Sequence, residues 1–132
     1  MLVQFLGPDA NAHLNNREGY LRSLQETDGL VADLWQFIQQ DGLYKDNTAL
    51  FITNDHGRHA DDHKDGFISH GDNCDECRHI SLLVLGPDFA QGKVVKEQFG
   101  LIDIAPTIGQ IMGIHLPAAD GNPIYPLLGQ DL

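Results

Sequence analysis

Thr48-Ala49-Leu50-Phe51-Ile52-Thr53, running into Asn54-Asp55-His56-Gly57, is the stretch that decides the fold. A near-continuous apolar run that stops at polar residues and a glycine has the pattern of a central strand covered on both faces. Asp55 and His56 are neighbours, so inside a regular strand their side chains would point to opposite faces. At the strand's end, where Gly57 permits unusual dihedrals, both can turn toward one centre. The triplet is therefore mechanically sensible as a pair of metal ligands.

Upstream, Leu2-Val3-Gln4-Phe5-Leu6 reads as a short strand closed by Gly7-Pro8. A helix is predicted over 17–41, with Leu21, Leu24, Val31, Leu34, Trp35 and Ile38 on one buried stripe and Gly42 as its stop. Downstream, residues 57–78 are a polar loop rich in Gly, Asp and His, and a loop of that length inside a compact domain is usually functional. His79 to Leu85 reads as another buried strand stopped by Gly86-Pro87, and residues 93–98 as a short edge strand. A second helix is predicted over 101–113, with Ile104, Ile108, Ile111 and Met112 inward; the Pro- and Gly-punctuated tail from Leu116 to Leu132 reads as irregular.

The order strand, helix, strand, long loop, strand, helix predicts an α/β fold, a mostly parallel sheet flanked by helices, in a single domain over 1–132. In open sheets of that kind ligands bind beyond the carboxyl ends of the strands. Asp9 follows the first predicted strand and Asp55-His56 the second, so position and chemistry agree.

Composition narrows the function. The 132 residues carry 19 acidic against 8 basic side chains, a net charge of −11, which repels nucleic acid and anionic membrane alike. No apolar run approaches the roughly 18 residues of a membrane span, and Met1-Leu6 lacks the basic region and cleavage site of a signal peptide. Cys74-x-x-Cys77 is compatible with a disulfide, a free dithiol or half of a zinc site. Arg78 stands where a c-type haem motif needs His, and no thioredoxin-type helix is expected to follow.

Asp and neutral His are the ordinary oxygen and nitrogen ligands of zinc and related divalent ions. In Asp9-x-x-x-His13 the intervening residues can wrap one helical turn or a tight loop, so that both side chains reach one ion. His70-Gly71-Asp72 supplies a third histidine from the long loop. Of the remaining histidines, His59 and His63 read as loop surface, His79 as a satisfied core or edge residue, and His115 as structural. Arg58, Lys64 and Arg78 are candidate anion contacts that read more simply as surface charge.

Three Asp/His groups at strand ends, in this order, resemble the C-terminal half of the alkaline-phosphatase-like superfamily, which includes nucleotide pyrophosphatase/phosphodiesterases, phosphomutases and sulfatases. The resemblance rests on Gly7-Pro8-Asp9-Ala10-Asn11-Ala12-His13, Thr53-Asn54-Asp55-His56-Gly57 and His70-Gly71-Asp72. Leu85-Gly86-Pro87, Leu101 to Ile108, Met112-Gly113-Ile114 and Asp120-Gly121 support it. It implies two divalent ions, zinc or alternatively manganese at both positions, with Asp9, His13 and His70 on one ion and Asp55 and His56 on the other. It also implies two-metal hydrolysis of a small phosphate ester by a Ser or Thr nucleophile from an N-terminal segment without a counterpart here. A sulfatase or phosphomutase of the same superfamily is the alternative, as is a non-catalytic fragment in which Cys74, Cys77 and nearby histidines hold a structural zinc. Cut from that N-terminal half, the chain is expected to expose apolar surface and to self-associate.

Overall fold

The computed structural model describes residues 1–129; residues 130–132, the end of the tail, lie outside the described residues. The chain forms two compact units, Met1–Tyr44 with Thr53–Ser81, and Lys45–Ile52 with Leu82–Leu132.

In the first unit, helix α1 (Gly7–His13) and helix α2 (Arg17–Gln40) form a helical hairpin. Pro8 suits the first turn of α1, where its missing N–H leaves no bond unmade. The turn between the helices is built by asparagines. Asn15 takes the left-handed conformation (φ 55°), and the Asn16 side chain caps α2 by accepting from Gly19 N at 3.0 Å. Asn16 Nδ2 in turn donates to Asn11 Oδ1 at 2.9 Å, while Asn11 Nδ2 donates to Gly7 O at 2.8 Å. A Cβ on Gly7 would stand 2.9 Å from the Ser23 Cβ, so a glycine here lets the two helices approach closely. Ala12 and Ser23 are buried beneath that crossing.

The predicted strand Leu2–Leu6 does not form: residues 1–6 have no regular structure, and Leu2, Val3, Phe5 and Leu6 are exposed. A strand must pair its backbone groups, and no partner strand lies beside this segment among the described residues. The stripe on α2 is only partly buried. Ile38 is in the core and Val31, Leu34 and Trp35 are half-buried, but Leu21 and Leu24 are exposed.

The long loop is tied down by its own contacts. Tyr20 and Phe67 pack ring to ring at 5.9 Å, Arg17 lies over the Phe67 ring, and Arg17 pairs with Asp61 at 3.2 Å. A 3-10 turn (Gly66–Ile68) and a one-turn helix α3 (Asp75–Arg78) punctuate it.

In the second unit, strand β1 (Leu50–Thr53, its last residue reaching into the first unit) pairs with strand β2 (Leu82–Leu85). The pair is antiparallel, contrary to the expected parallel sheet: Thr53 Oγ1 donates to Ser81 O at 2.8 Å at one end, whereas Gly86 lies against Thr48 at the other. A continuous apolar run records that both faces are covered but not the direction of its neighbour. No helical crossover joins β1 to β2; the Asp- and His-rich loop does, which antiparallel strands allow. His79, expected to open the second strand, instead ends α3 and is exposed.

The core of this unit is Phe89, Ile124 and Leu128, with Phe51 set edge-on to Phe89 at 5.3 Å. Residues 93–98 form no strand; the extra pairing is an isolated bridge between Phe89 and Leu128. The second predicted helix is a 3-10 turn (Leu101–Asp103) continuing into α4 (Ile104–Ile111). Its buried side is Pro106, Thr107 and Gly109, whereas Ile108 and Met112 are exposed, so the inward face is rotated from the one expected. Thr107 explains the rotation: fully buried, it donates to Asp103 O at 2.6 Å and accepts from Ile124 N at 2.9 Å, fastening the tail to α4. Over its described residues, to 129, the tail is otherwise irregular apart from a 3-10 turn (Tyr125–Leu127) and the bridge at Leu128. Among the described residues no helix is long and apolar enough to cross a membrane.

Candidate metal centre

α1 places Asp9 and His13 one turn apart on the same side of the helix, with Asp9 Oδ1 3.4 Å from His13 Nε2. His56, just beyond β1, and His70, from the long loop, converge on the same carboxylate: Asp9 Oδ1 is 3.9 Å from His56 Nε2 and 3.5 Å from His70 Nε2. The His56 and His70 rings stack with centroids 3.7 Å apart, and His13 Nε2 meets His70 Nε2 at 3.1 Å. One carboxylate oxygen thus has an imidazole nitrogen of each of three histidines within 3.9 Å of it, all in the first unit. Ligand atoms of Asp9, His56 and His70 all lie within 4.8 Å of one another, a spacing that fits a shared divalent cation.

The tautomers agree with that fit. His56 Nδ1 is 2.8 Å from Gly57 O, and a carbonyl can only accept, so Nδ1 carries the proton and Nε2 presents its lone pair inward. His70 is held below the usual imidazole range, first by burial and then by the charges of His56 and Arg58, which favours the neutral form a ligand needs.

Asp55 stays apart. Its side chain is 78% exposed, with Oδ1 accepting from His56 N and lying 3.7 Å from His56 Nε2. His56 therefore stands between the two carboxylates, its Nε2 3.7 Å from Asp55 and 3.9 Å from Asp9, with its ring stacked on His70.

Gly57 owes its place to crowding. It has no positive φ; a Cβ there would run into the Glu76 carbonyl and meet His79 O at 2.9 Å, while Gly57 N donates to Cys77 O at 2.7 Å. The glycine of Asp-His-Gly is what lets α3 lie directly against the segment that carries His56.

Arg58 is not surface charge. Its side chain is 11% exposed and its guanidinium donates to Phe67 O at 3.1 Å, Ile68 O at 3.3 Å, Asp9 O at 3.3 Å and the Asp9 carboxylate. Lys64 is exposed, and Arg78 pairs with Asp75 on the surface at 2.7 Å. His59, expected on the surface, is buried; His63 and His115 are exposed. Burial of a loop residue is set by how the loop folds over its neighbours, and nothing periodic in residues 57–78 announces it.

Imidazoles and a carboxylate gathered beyond the end of a strand define a candidate divalent-cation centre of the kind found in metal-dependent ester hydrolases. The chain belongs to the Sulfatase family, whose model matches residues 4–114, and with it to the alkaline-phosphatase-like superfamily. That family implies an α/β fold. Arylsulfatase K of Xenopus laevis is 29% identical over 85% of this chain and 20% of its own length. Sulfatase ppz1 of Metarhizium majus is 34% identical over 83% of this chain and 26% of its own. A 2,3-bisphosphoglycerate-independent phosphoglycerate mutase of Gracilaria tenuistipitata is 24% identical over 89% of this chain and 22% of its own. The chain thus spans a fifth to a quarter of the length of these relatives. No solved structure matches it.

Proposed function

We propose that residues 1–132 are the C-terminal metal-holding portion of a metal-dependent hydrolase of small anionic esters, and that its substrate is a phosphate ester. The observation that carries the reading is the convergence of His13, His56 and His70 on Asp9. Three imidazoles suit zinc, with manganese second, whereas a calcium site is made of oxygens. Asp9, His13 and His70 would hold the first ion, and His56, within reach of both Asp9 and Asp55, would stand between it and a second. When bound, such ions supply charge for the ester's developing oxyanion and for an attacking oxygen.

The chain's own residues prepare that centre. The Gly57 carbonyl fixes the His56 tautomer, burial lowers the His70 pKa and so favours its neutral form, and Arg58 pairs with the Asp9 carboxylate. The nucleophile is assigned to a segment outside this chain.

Hydrolysis of a sulfate ester is the second reading, favoured by the relatives named arylsulfatase K and sulfatase ppz1. Steady-state assays of the full-length protein with p-nitrophenyl phosphate, bis(p-nitrophenyl) phosphate and p-nitrophenyl sulfate separate the two. Turnover of a phosphate ester that is lost with chelator and restored by zinc or manganese is expected. Turnover of the sulfate alone overturns the phosphoester reading, and turnover of none in the metal-loaded protein overturns the hydrolase.

A further inference from the structure

Twelve residues separate His59 from Asp72, and around that excursion of the loop a second cluster assembles whose donors differ from those at Asp9. His59 is 6% exposed, and neither ring nitrogen has a hydrogen-bond partner. Its Nε2 lies 3.1 Å from Asp72 Oδ2, at ion-pair distance but off the angle a hydrogen bond requires. A buried imidazole with both nitrogens unsatisfied costs about 1–3 kcal/mol per group, and something should occupy its lone pair.

What faces it is a complete set of metal donors. One ligand atom each from His59, Asp72, Cys74 and Cys77 falls within 4.8 Å of every other, and both cysteines are free. Tetrahedral zinc, with bonds of about 2.0–2.3 Å, needs donor atoms about 3.3–3.8 Å apart, so the set closes on an ion with small side-chain movements.

The local backbone is arranged for that set. Asp72 Oδ1 accepts from Cys74 N at 2.9 Å, which leaves Oδ2 toward His59. Cys74 caps α3, and Cys77 N donates to its sulfur at 3.1 Å, so the first turn of α3 carries both sulfurs on one side. Cys77 is 5% exposed.

We propose that His59, Asp72, Cys74 and Cys77 bind one zinc-class ion as a closed structural site, separate from the centre at Asp9. Four protein ligands leave no open position for substrate, which marks a structural rather than a catalytic site. Its consequence lies in the sequence spacing. His59 is three residues beyond His56 and Asp72 two beyond His70, so the ion clips together the two ends of the loop that present those histidines to Asp9. His63 packs against His59, the two rings 3.8 Å apart between centroids and tilted by 33°.

Cobalt substitution of the full-length protein, purified under reducing conditions, tests this site independently of the ester hydrolase reading. A sulfur-to-cobalt charge-transfer band is expected, lost in Cys77→Ser and kept in His13→Ala, whereas cobalt bound without that band overturns the proposal. Because Cys77→Ser could disturb folding, alkylation of Cys74 and Cys77 in the wild-type protein, mapped by mass, provides the second readout. Both thiols should be protected at least tenfold by zinc and become reactive on chelation. Equal reactivity with and without zinc, or a Cys74–Cys77 disulfide in the reduced protein, overturns the proposal as well.

Discussion

Arg58 and Asp9, 49 residues apart in sequence, form an ion pair in which the buried guanidinium is also braced by the Phe67 and Ile68 carbonyls. The long loop is thereby tied to α1 by the same carboxylate that three histidines face. Arg58→Ala leaves those acceptors without a donor; Asp9 is half-exposed, so water compensates in part. A loss of about 1–3 kcal/mol is expected in urea unfolding of the metal-free protein. Arg58→Lys should recover less than half of it, because a single ammonium cannot span four acceptors. Full recovery by Lys would show that charge alone matters.

Gly57→Ala drives a methyl group into the Glu76 carbonyl. Backbone cannot swing aside as a side chain can, so α3 must separate from the His56 loop. A cost of about 1–3 kcal/mol is expected, together with weaker metal binding at both clusters. A variant with wild-type stability and metal affinity would mean that α3 does not rest on Gly57 in solution.

Asn16→Ala removes the cap of α2 and its bond to Asn11. About 1 kcal/mol of stability should be lost, with α2 fraying first at Arg17 to Tyr20 in amide exchange. Faster exchange at the other end of α2 instead would contradict this.

Asp103 supplies a pH signature for the second unit. Gly100 N and Asn122 N both donate to its carboxylate, at 2.8 and 2.9 Å, and hold its pKa below the ordinary 3.8. A carboxyl with a depressed folded pKa contributes stability that is present above the unfolded value and lost as pH falls through the folded one. Asp103→Asn should therefore cost about 1–2 kcal/mol at neutral pH, and the difference from wild type should shrink on acidification below 3.8. A difference that stays constant with pH would contradict the assignment.

The sequence made the centre legible where chemistry and spacing coincide. Asp9 and His13 are four apart, which a helix turns into neighbours, and His56 follows a strand whose apolar run is plain. Strand direction was not legible, because a covered antiparallel strand and a covered parallel one carry the same residues. Leu2 to Leu6 has strand composition without a pairing partner among the described residues, and propensity alone does not satisfy a backbone. Arg58 and His59 look like any polar loop residues, since their burial comes from Phe67 and α3 rather than from their own neighbours in sequence. Helix α4 turned its face because Thr107, a polar residue, is buried by two hydrogen bonds that no apolar pattern reveals.

Metal stoichiometry tests the central claim most directly. The full-length protein and its Asp9→Ala, His13→Ala, Asp55→Ala, His56→Ala and His70→Ala variants would be loaded with zinc, desalted and analysed for bound metal. Loss of an equivalent in Asp9→Ala and His70→Ala, with the thiolate-bound ion retained, is the predicted result. Unchanged stoichiometry in all five variants would contradict the centre at Asp9.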